Sequence, residues 1–251
     1  MMITRAKKNI RVAIDHTNVI YNFMNGYDLI IPVYNEKNII RLIDYIFINS
    51  KKFIKIYICY DDENDITINI IKKSKYNKSL KIIILKNLFK GPCEAIKTGI
   101  CSSKANALIV YPADDFNNGL MLDKMYEKYL DGYDMVCPSR FMKGGLIKNC
   151  PLIKYIIVKI ISFSLYYLSE IKIKDPTNGF RLFSKKLIER HPIKSKLGFA
   201  YSLELLVKAS KNNYKITELP SIWIEREDRK SNFKIFKWAK DYLKWYFLAI
   251  F

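Results

Sequence analysis

Four short runs of apolar and aromatic residues recur in the first half of the chain: YDLIIPVY (27–34), FIKIYICY (53–60), SLKIIILK (79–86) and ANALIVYP (105–112). Their length and β-branched content mark them as buried strands. Between them lie NEKNIIRLIDYIFIN, DITINIIKKSK and GPCEAIKTGICSS, which read as helices, the last with Pro92 where a helix can begin. Strands alternating with helices predict an α/β fold, a mostly parallel central sheet joined by right-handed crossovers. In such sheets ligands bind beyond the carboxyl ends of the strands.

The predicted strand ends carry carboxylates. The first strand runs into Tyr34, Asn35 and Glu36, the second into Asp61 and Asp62, and the fourth into Asp114 and Asp115. Each alone is explained by turn and helix-cap chemistry. Together they put acid on one edge of a chain whose net charge is +19. A hard divalent cation would reconcile them, because it takes carboxylate oxygens and bridges to substrate phosphates.

Composition narrows the class. The 251 residues suffice for one large domain with a sizeable core, and half of them are hydrophobic, which argues against disorder. The basic excess favours anionic lipid, nucleic acid or phosphorylated small molecules. No helix-turn-helix, RNA-recognition or zinc pattern is present, so nucleic acid is a remote alternative and no nucleic-acid partner is expected. Five scattered cysteines, Cys59, Cys93, Cys101, Cys137 and Cys150, form no C-x-x-C pair and read as reduced cytosolic thiols. The amino-terminal stretch has no continuous apolar core before a cleavage site, so export is not expected.

Two segments bear on membranes. PLIKYIIVKIISFSLYYLSE (151–170) is strongly apolar, but Lys154 and Lys159 interrupt it. Its longest uncharged stretch is about half of the ~20 residues a spanning helix needs, so no transmembrane helix is predicted. The segment reads as a core helix or as one lying on a bilayer. NFKIFKWAKDYLKWYFLAIF spaces Lys234, Lys237, Lys240 and Lys244 beside Phe236, Trp238, Leu243, Trp245 and Phe247. This basic amphipathic pattern fits either an interfacial helix or a terminal helix packed on the domain.

The ordered series IPVYNEKNI, YDDEND, KGPCEAIKTGI, YPADD, PSRFMKGG, DPTNGFRLFS, ELPSIWIERE and KSNFK resembles the family 2 glycosyltransferases, and within them the dolichyl- or polyprenyl-phosphate sugar synthases. That resemblance implies a GT-A (Rossmann-like) fold over residues 27–233, with a nucleotide-sugar half at 27–118 and an acceptor half at 119–233. Residues 1–26 remain as an extension and 234–251 as the basic helix. It further implies that Pro32, Tyr34, Asn35, Glu36, Asp61, Lys90, Gly91 and Asp114 bind a GDP- or UDP-hexose, with Asp62 a weaker candidate. Arg140, Arg181, Arg226 and Ser231 would face acceptor or diphosphate oxygens. Asp114, Asp115 and Arg181 would be catalytic, with Mg2+ or Mn2+ held by Asp114 and Asp115. The chain departs from the family at two places. Pro112 stands where relatives carry the first aspartate of D-x-D, and Arg229 where the R-x-x-G-x-S motif carries glycine.

With these assignments the expected reaction is metal-dependent, inverting transfer of a hexose to a polyprenyl phosphate, by a protein peripheral to the cytoplasmic face of a membrane. A phosphate acceptor needs no general base. A saccharide acceptor is the alternative, and for a hydroxyl nucleophile the acidic candidates are Asp175 and Glu204, because His16 and His191 fall at structural or surface positions.

Overall fold

The computed structural model describes residues 26–225 and 235–251. Strands β1 (Tyr27–Pro32), β2 (Phe53–Tyr60), β3 (Ile82–Lys86) and β4 (Ala107–Val110) alternate with helices α1 (Ile39–Asn49), α2 (Ile66–Lys72) and α3 (Pro92–Ser102). Helix α4 (Gly119–Leu130), β5 (Met135–Ser139), β6 (Leu146–Lys148) and α5 (Leu152–Leu168) follow. The chain continues through β7 (Arg181–Ser184), α6 (Lys185–Arg190), α7 (Tyr201–Lys211), β8 (Ile216–Pro220), β9 (Ile222–Ile224) and α8 (Ile235–Ile250).

One seven-stranded sheet runs in the order β3-β2-β1-β4-β7-β5-β8, and β6 and β9 form a separate parallel pair. The pairs β1/β2, β2/β3, β1/β4 and β5/β8 are parallel. Only β7 is reversed, antiparallel to both β4 and β5. The mostly parallel sheet flanked by helices is therefore the architecture that the apolar runs predict. The second strand agrees residue for residue with expectation. The third starts at Ile82, because Ser79 and Ile82 close turns onto Tyr76 and Ser79. The fourth ends at Val110, just before Pro112, which has no N–H to give the ladder.

Burial on both faces explains why β1 lacks alternation. Leu29 and Ile31 join Ile43, Ile46, Ile68 and Met125 in the core beneath α1, α2 and α4. Ile30 joins Ile96, Leu206 and Trp245 beneath α3, α7 and α8. Helix α3 approaches β1 so closely that a Cβ on Gly99 would lie 2.6 Å from Ile30 Cγ2.

Helix α5 is different: only Ser162 and Leu165 are buried. Ile153, Ile156, Ile160, Phe163 and Tyr167, spaced three or four residues apart, are all exposed, so an apolar stripe faces outward. Tyr246 of α8 donates to Ser164 Oγ at 2.9 Å and joins the two helices. On α8, Trp245 is buried while Leu243, Phe247 and Leu248 are exposed. Among the described residues no helix is long and apolar enough to cross a membrane. The expected extension at 1–26 lies outside the described residues except for Gly26.

Candidate active site

Parallel register brings the carboxyl ends of β1, β2 and β4 to one edge, with Pro32 opposite Cys59 and Ile30 opposite Val110. Because β7 runs the other way, its first residue, Arg181, pairs with Val110 and reaches the same edge. Arg140 follows β5 and Ser221 follows β8, so both open there too.

On the β1/β2 side, Tyr34 is 60% exposed and stands out from the edge. Asn35 adopts φ 52°, a left-handed turn that asparagine tolerates. Its backbone N–H donates to both oxygens of Asp65 at 3.1 Å, and its Oδ1 accepts from the Ile66 N–H at 3.2 Å. Asp61 accepts from Asn87 Nδ2 at 2.7 Å and from the Gly91 N–H at 2.8 Å. Gly91 has φ 116°, which only glycine adopts without strain, and it aims the start of α3 at the edge. Lys90 is exposed and pairs with Asp62 at 3.3 Å.

Glu36 requires a correction. It is 1% exposed, its Oε1 accepts from the Asn38 N–H at 3.1 Å, and its own N–H donates to Thr67 Oγ1 at 2.8 Å. The bond to Asn38 folds the carboxylate into the β1–α1 turn.

At the end of β4 the two aspartates part ways. Asp114 is partly exposed. Asp115 is 2% exposed; its Oδ1 accepts from the N–H groups of Asn117 (2.8 Å) and Asn118 (3.0 Å), and its Oδ2 from Asn118 Nδ2 (2.6 Å). Burial pushes its carboxyl up to about 6 despite these donors. As a metal ligand Asp115 is therefore corrected: its oxygens shape the turn that starts α4. Asn118, which sequence reasoning missed, also bonds both backbone groups of Ile222, its Nδ2 to the carbonyl (2.7 Å) and its Oδ1 to the N–H (3.0 Å). The signal was the NN pair after DD, since an amide can donate and accept at once.

The two described arginines of the series both engage protein partners. Arg140 Nε and Nη2 lie 2.6 and 2.8 Å from the two oxygens of Asp175, which is 0% exposed. Burial works against the charge of Arg140, and the Asp175 carboxylate outweighs it, so its pKa is raised. With both oxygens engaged, Asp175 cannot serve as a base. Arg181 is 0% exposed, with Nε donating to the Asn178 carbonyl (2.9 Å) and Nη2 to that of Asp175 (2.7 Å). These two bonds tie it to the 175–178 loop, and its Nη1 has no hydrogen-bond partner among the described residues. Glu204, also 0% exposed, accepts from the N–H groups of Lys194 and Ser195 at 2.6 Å and from Lys208. It ties a loop to α7 and is no base. Arg226 and Ser231 lie outside the described residues.

A narrow cleft lined by Pro112, Asn118, Arg140, Asn178, Ser221 and Trp223 opens at this edge. Among the described residues no three His, Cys, Asp or Glu side chains converge as a metal cage. The donor set nevertheless fits a hard cation held by one carboxylate, Asp114, with substrate phosphate oxygens and water completing the shell.

Comparison with known proteins gives the family and the fold. Residues 28–191 match the sequence model for Glycosyl transferase family 2. A dolichol-phosphate mannosyltransferase from Pyrococcus furiosus is 27% identical over 196 residues, 76% of this chain and 54% of that protein. A polyprenol monophosphomannose synthase from Mycolicibacterium smegmatis is 23% identical over 146 residues, 53% of this chain and 55% of that protein. The chain thus spans about half the length of these curated relatives. Among solved structures, glucosyl-3-phosphoglycerate synthase from Mycobacterium tuberculosis with UDP superposes with a TM-score of 0.67 at 12% identity, covering 90% of this chain and 80% of that one. The same enzyme with Mn2+, UDP-glucose and phosphoglyceric acid gives 0.65 at 12% identity, covering 88% and 80%. The fold is that of these GT-A proteins, and the match over 28–191 places the chain in glycosyl transferase family 2.

Proposed function

We propose that the protein transfers a hexose from a GDP- or UDP-hexose to the phosphate of a polyprenyl lipid, with inversion, at an anionic membrane surface. The observation that carries the lipid assignment is the outward apolar stripe of α5 beside that of α8. The stripe begins next to the acceptor cleft, where Tyr155 packs edge-on to Phe141 at 6.2 Å and Lys154 pairs with Glu225 at 2.8 Å. Water penalises so continuous an exposed apolar surface, whereas a bilayer interface accepts it. Exposed Lys159, Lys172, Lys240 and Lys244 flank it, and each lysine near anionic lipid contributes about 1 kcal/mol. The two relatives named for dolichol-phosphate and polyprenol-monophosphate chemistry support the same reading.

In this mechanism an oxygen of the lipid phosphate attacks the anomeric carbon as the bond to the donor's diphosphate breaks, and the nucleoside diphosphate leaves. A phosphate monoester has its second pKa near ~6 and is ionised at neutral pH, so no side chain need remove a proton. This agrees with Asp175 and Glu204 being enclosed. Tyr34 offers a ring for stacking on the base, and Asp61 with Gly91 shapes the diphosphate end of α3. A divalent cation on Asp114 would neutralise charge on the departing diphosphate. Arg140 faces the acceptor phosphate.

Radiolabelled GDP- and UDP-hexoses offered with polyprenyl phosphate test the assignment: label should pass into organic solvent, and label that stays in water refutes it. Removing Asp61, as Asp61→Ala, should weaken nucleoside diphosphate binding about tenfold by calorimetry, because the Gly91 turn loses a charge-assisted anchor. The double substitution Ile160→Glu with Phe163→Glu should cut sedimentation with anionic vesicles roughly tenfold or more, since it places two charges in the stripe. Unchanged sedimentation removes the interfacial assignment.

A further inference from the structure

We infer that Asp175 is a positioning residue that fixes the Arg140 guanidinium for a phosphate monoester arriving at the strand edge, read here, on the basis of the proposed function, as the acceptor's.

The geometry is a fork on a fork. Asp175 Oδ2 takes Arg140 Nε at 2.6 Å and the Arg140 backbone N–H at 3.0 Å, while Oδ1 takes Nη2 at 2.8 Å. Three bonds to one residue leave neither the plane nor the reach of the guanidinium free to vary. Asp175 uses only the Nε–Nη2 edge, so the edge carrying Nη1 is turned away from it. Arg140 itself lines the cleft.

Asp175 is in turn held rigidly. Glu218 Oε1 accepts from the N–H groups of Lys174 (2.8 Å) and Asp175 (3.3 Å), and Pro176 fixes the next turn. Asn178 Nδ2 anchors the loop to the Pro138 carbonyl at 2.9 Å, and the buried Arg181 donates to the Asp175 carbonyl at 2.7 Å. A carboxylate so enclosed touches no substrate. Its effect is to hold a cation in one orientation before the ligand arrives, which lowers the ordering cost of binding.

The test uses the full chain, a soluble short-chain prenyl phosphate and the nucleotide sugar. Asp175→Asn should raise the acceptor KM roughly tenfold while donor KM stays within about twofold. A purely structural role would lower the active fraction and so kcat, with both KM values unchanged, and that outcome overturns the inference. Asp175→Asn leaves a half-buried guanidinium without its counter-charge and can misfold. Arg140→Lys keeps the charge balance but loses the fork, and it should show the same acceptor-specific rise in KM. An acceptor KM for Arg140→Lys within about twofold of wild type overturns the inference.

A wild-type protein that transfers nothing to prenyl phosphate refutes the proposed function instead. Titration with inorganic phosphate then decides the inference. Binding that Asp175→Asn or Arg140→Lys weakens roughly tenfold keeps it, and no binding, or binding indifferent to both, overturns it.

Discussion

Replacing Asp114 with asparagine should lower turnover roughly a hundredfold to a thousandfold, measured as kcat at saturating donor, with the melting temperature little changed. The size follows from removing one preorganised group at the point where charge develops on the leaving diphosphate. Among the described residues at the end of β4, none can substitute for it. Pro112 offers no ligating side chain, and the oxygens of Asp115 are held by Asn117 and Asn118. The variant should also need more Mg2+ or Mn2+ to reach its half-maximal rate, a readout that a folding defect would not produce. Full activity would refute the assignment of Asp114.

Arg181→Met should cost about 2–6 kcal/mol of folding stability, from two unpaired carbonyls, seen as a lower denaturant midpoint. The side chain is 0% exposed and satisfies the carbonyls of Asn178 and Asp175. Methionine fills part of the volume but donates nothing, and each buried carbonyl left unpaired costs about 1–3 kcal/mol. A shift under about 0.5 kcal/mol, the range of ordinary surface substitutions, would show that Arg181 is not the structural pin described above.

Sequence alone carried the sheet far. Apolar runs located four strands, and their parallel order placed Tyr34, Asp61 and Asp114 on one edge. What it could not carry was direction within a turn. Asp114 and Asp115 are adjacent and chemically identical, yet it is Asp115 whose oxygens close the turn leading into α4, a turn that Asn118 also ties to Ile222, 104 residues away. Glu36 turned inward for a similar reason, its backbone N–H finding Thr67 of α2. For Arg181, the flanking Gly179 and Phe180 marked the place but not the burial, which arises from loop carbonyls folding over the guanidinium. Helix α5 shows the same limit. Its periodicity fits a core stripe or an outward stripe equally well, and only packing against α8 decides which side is covered.

The reversed strand β7 has a mechanical consequence. It pairs with β4 on one side and β5 on the other, so the strands that precede it and those that follow belong to one hydrogen-bonded slab. Bending that slab at the seam would break ladder bonds from both neighbours at once. The sheet therefore resists opening as two jaws at β7.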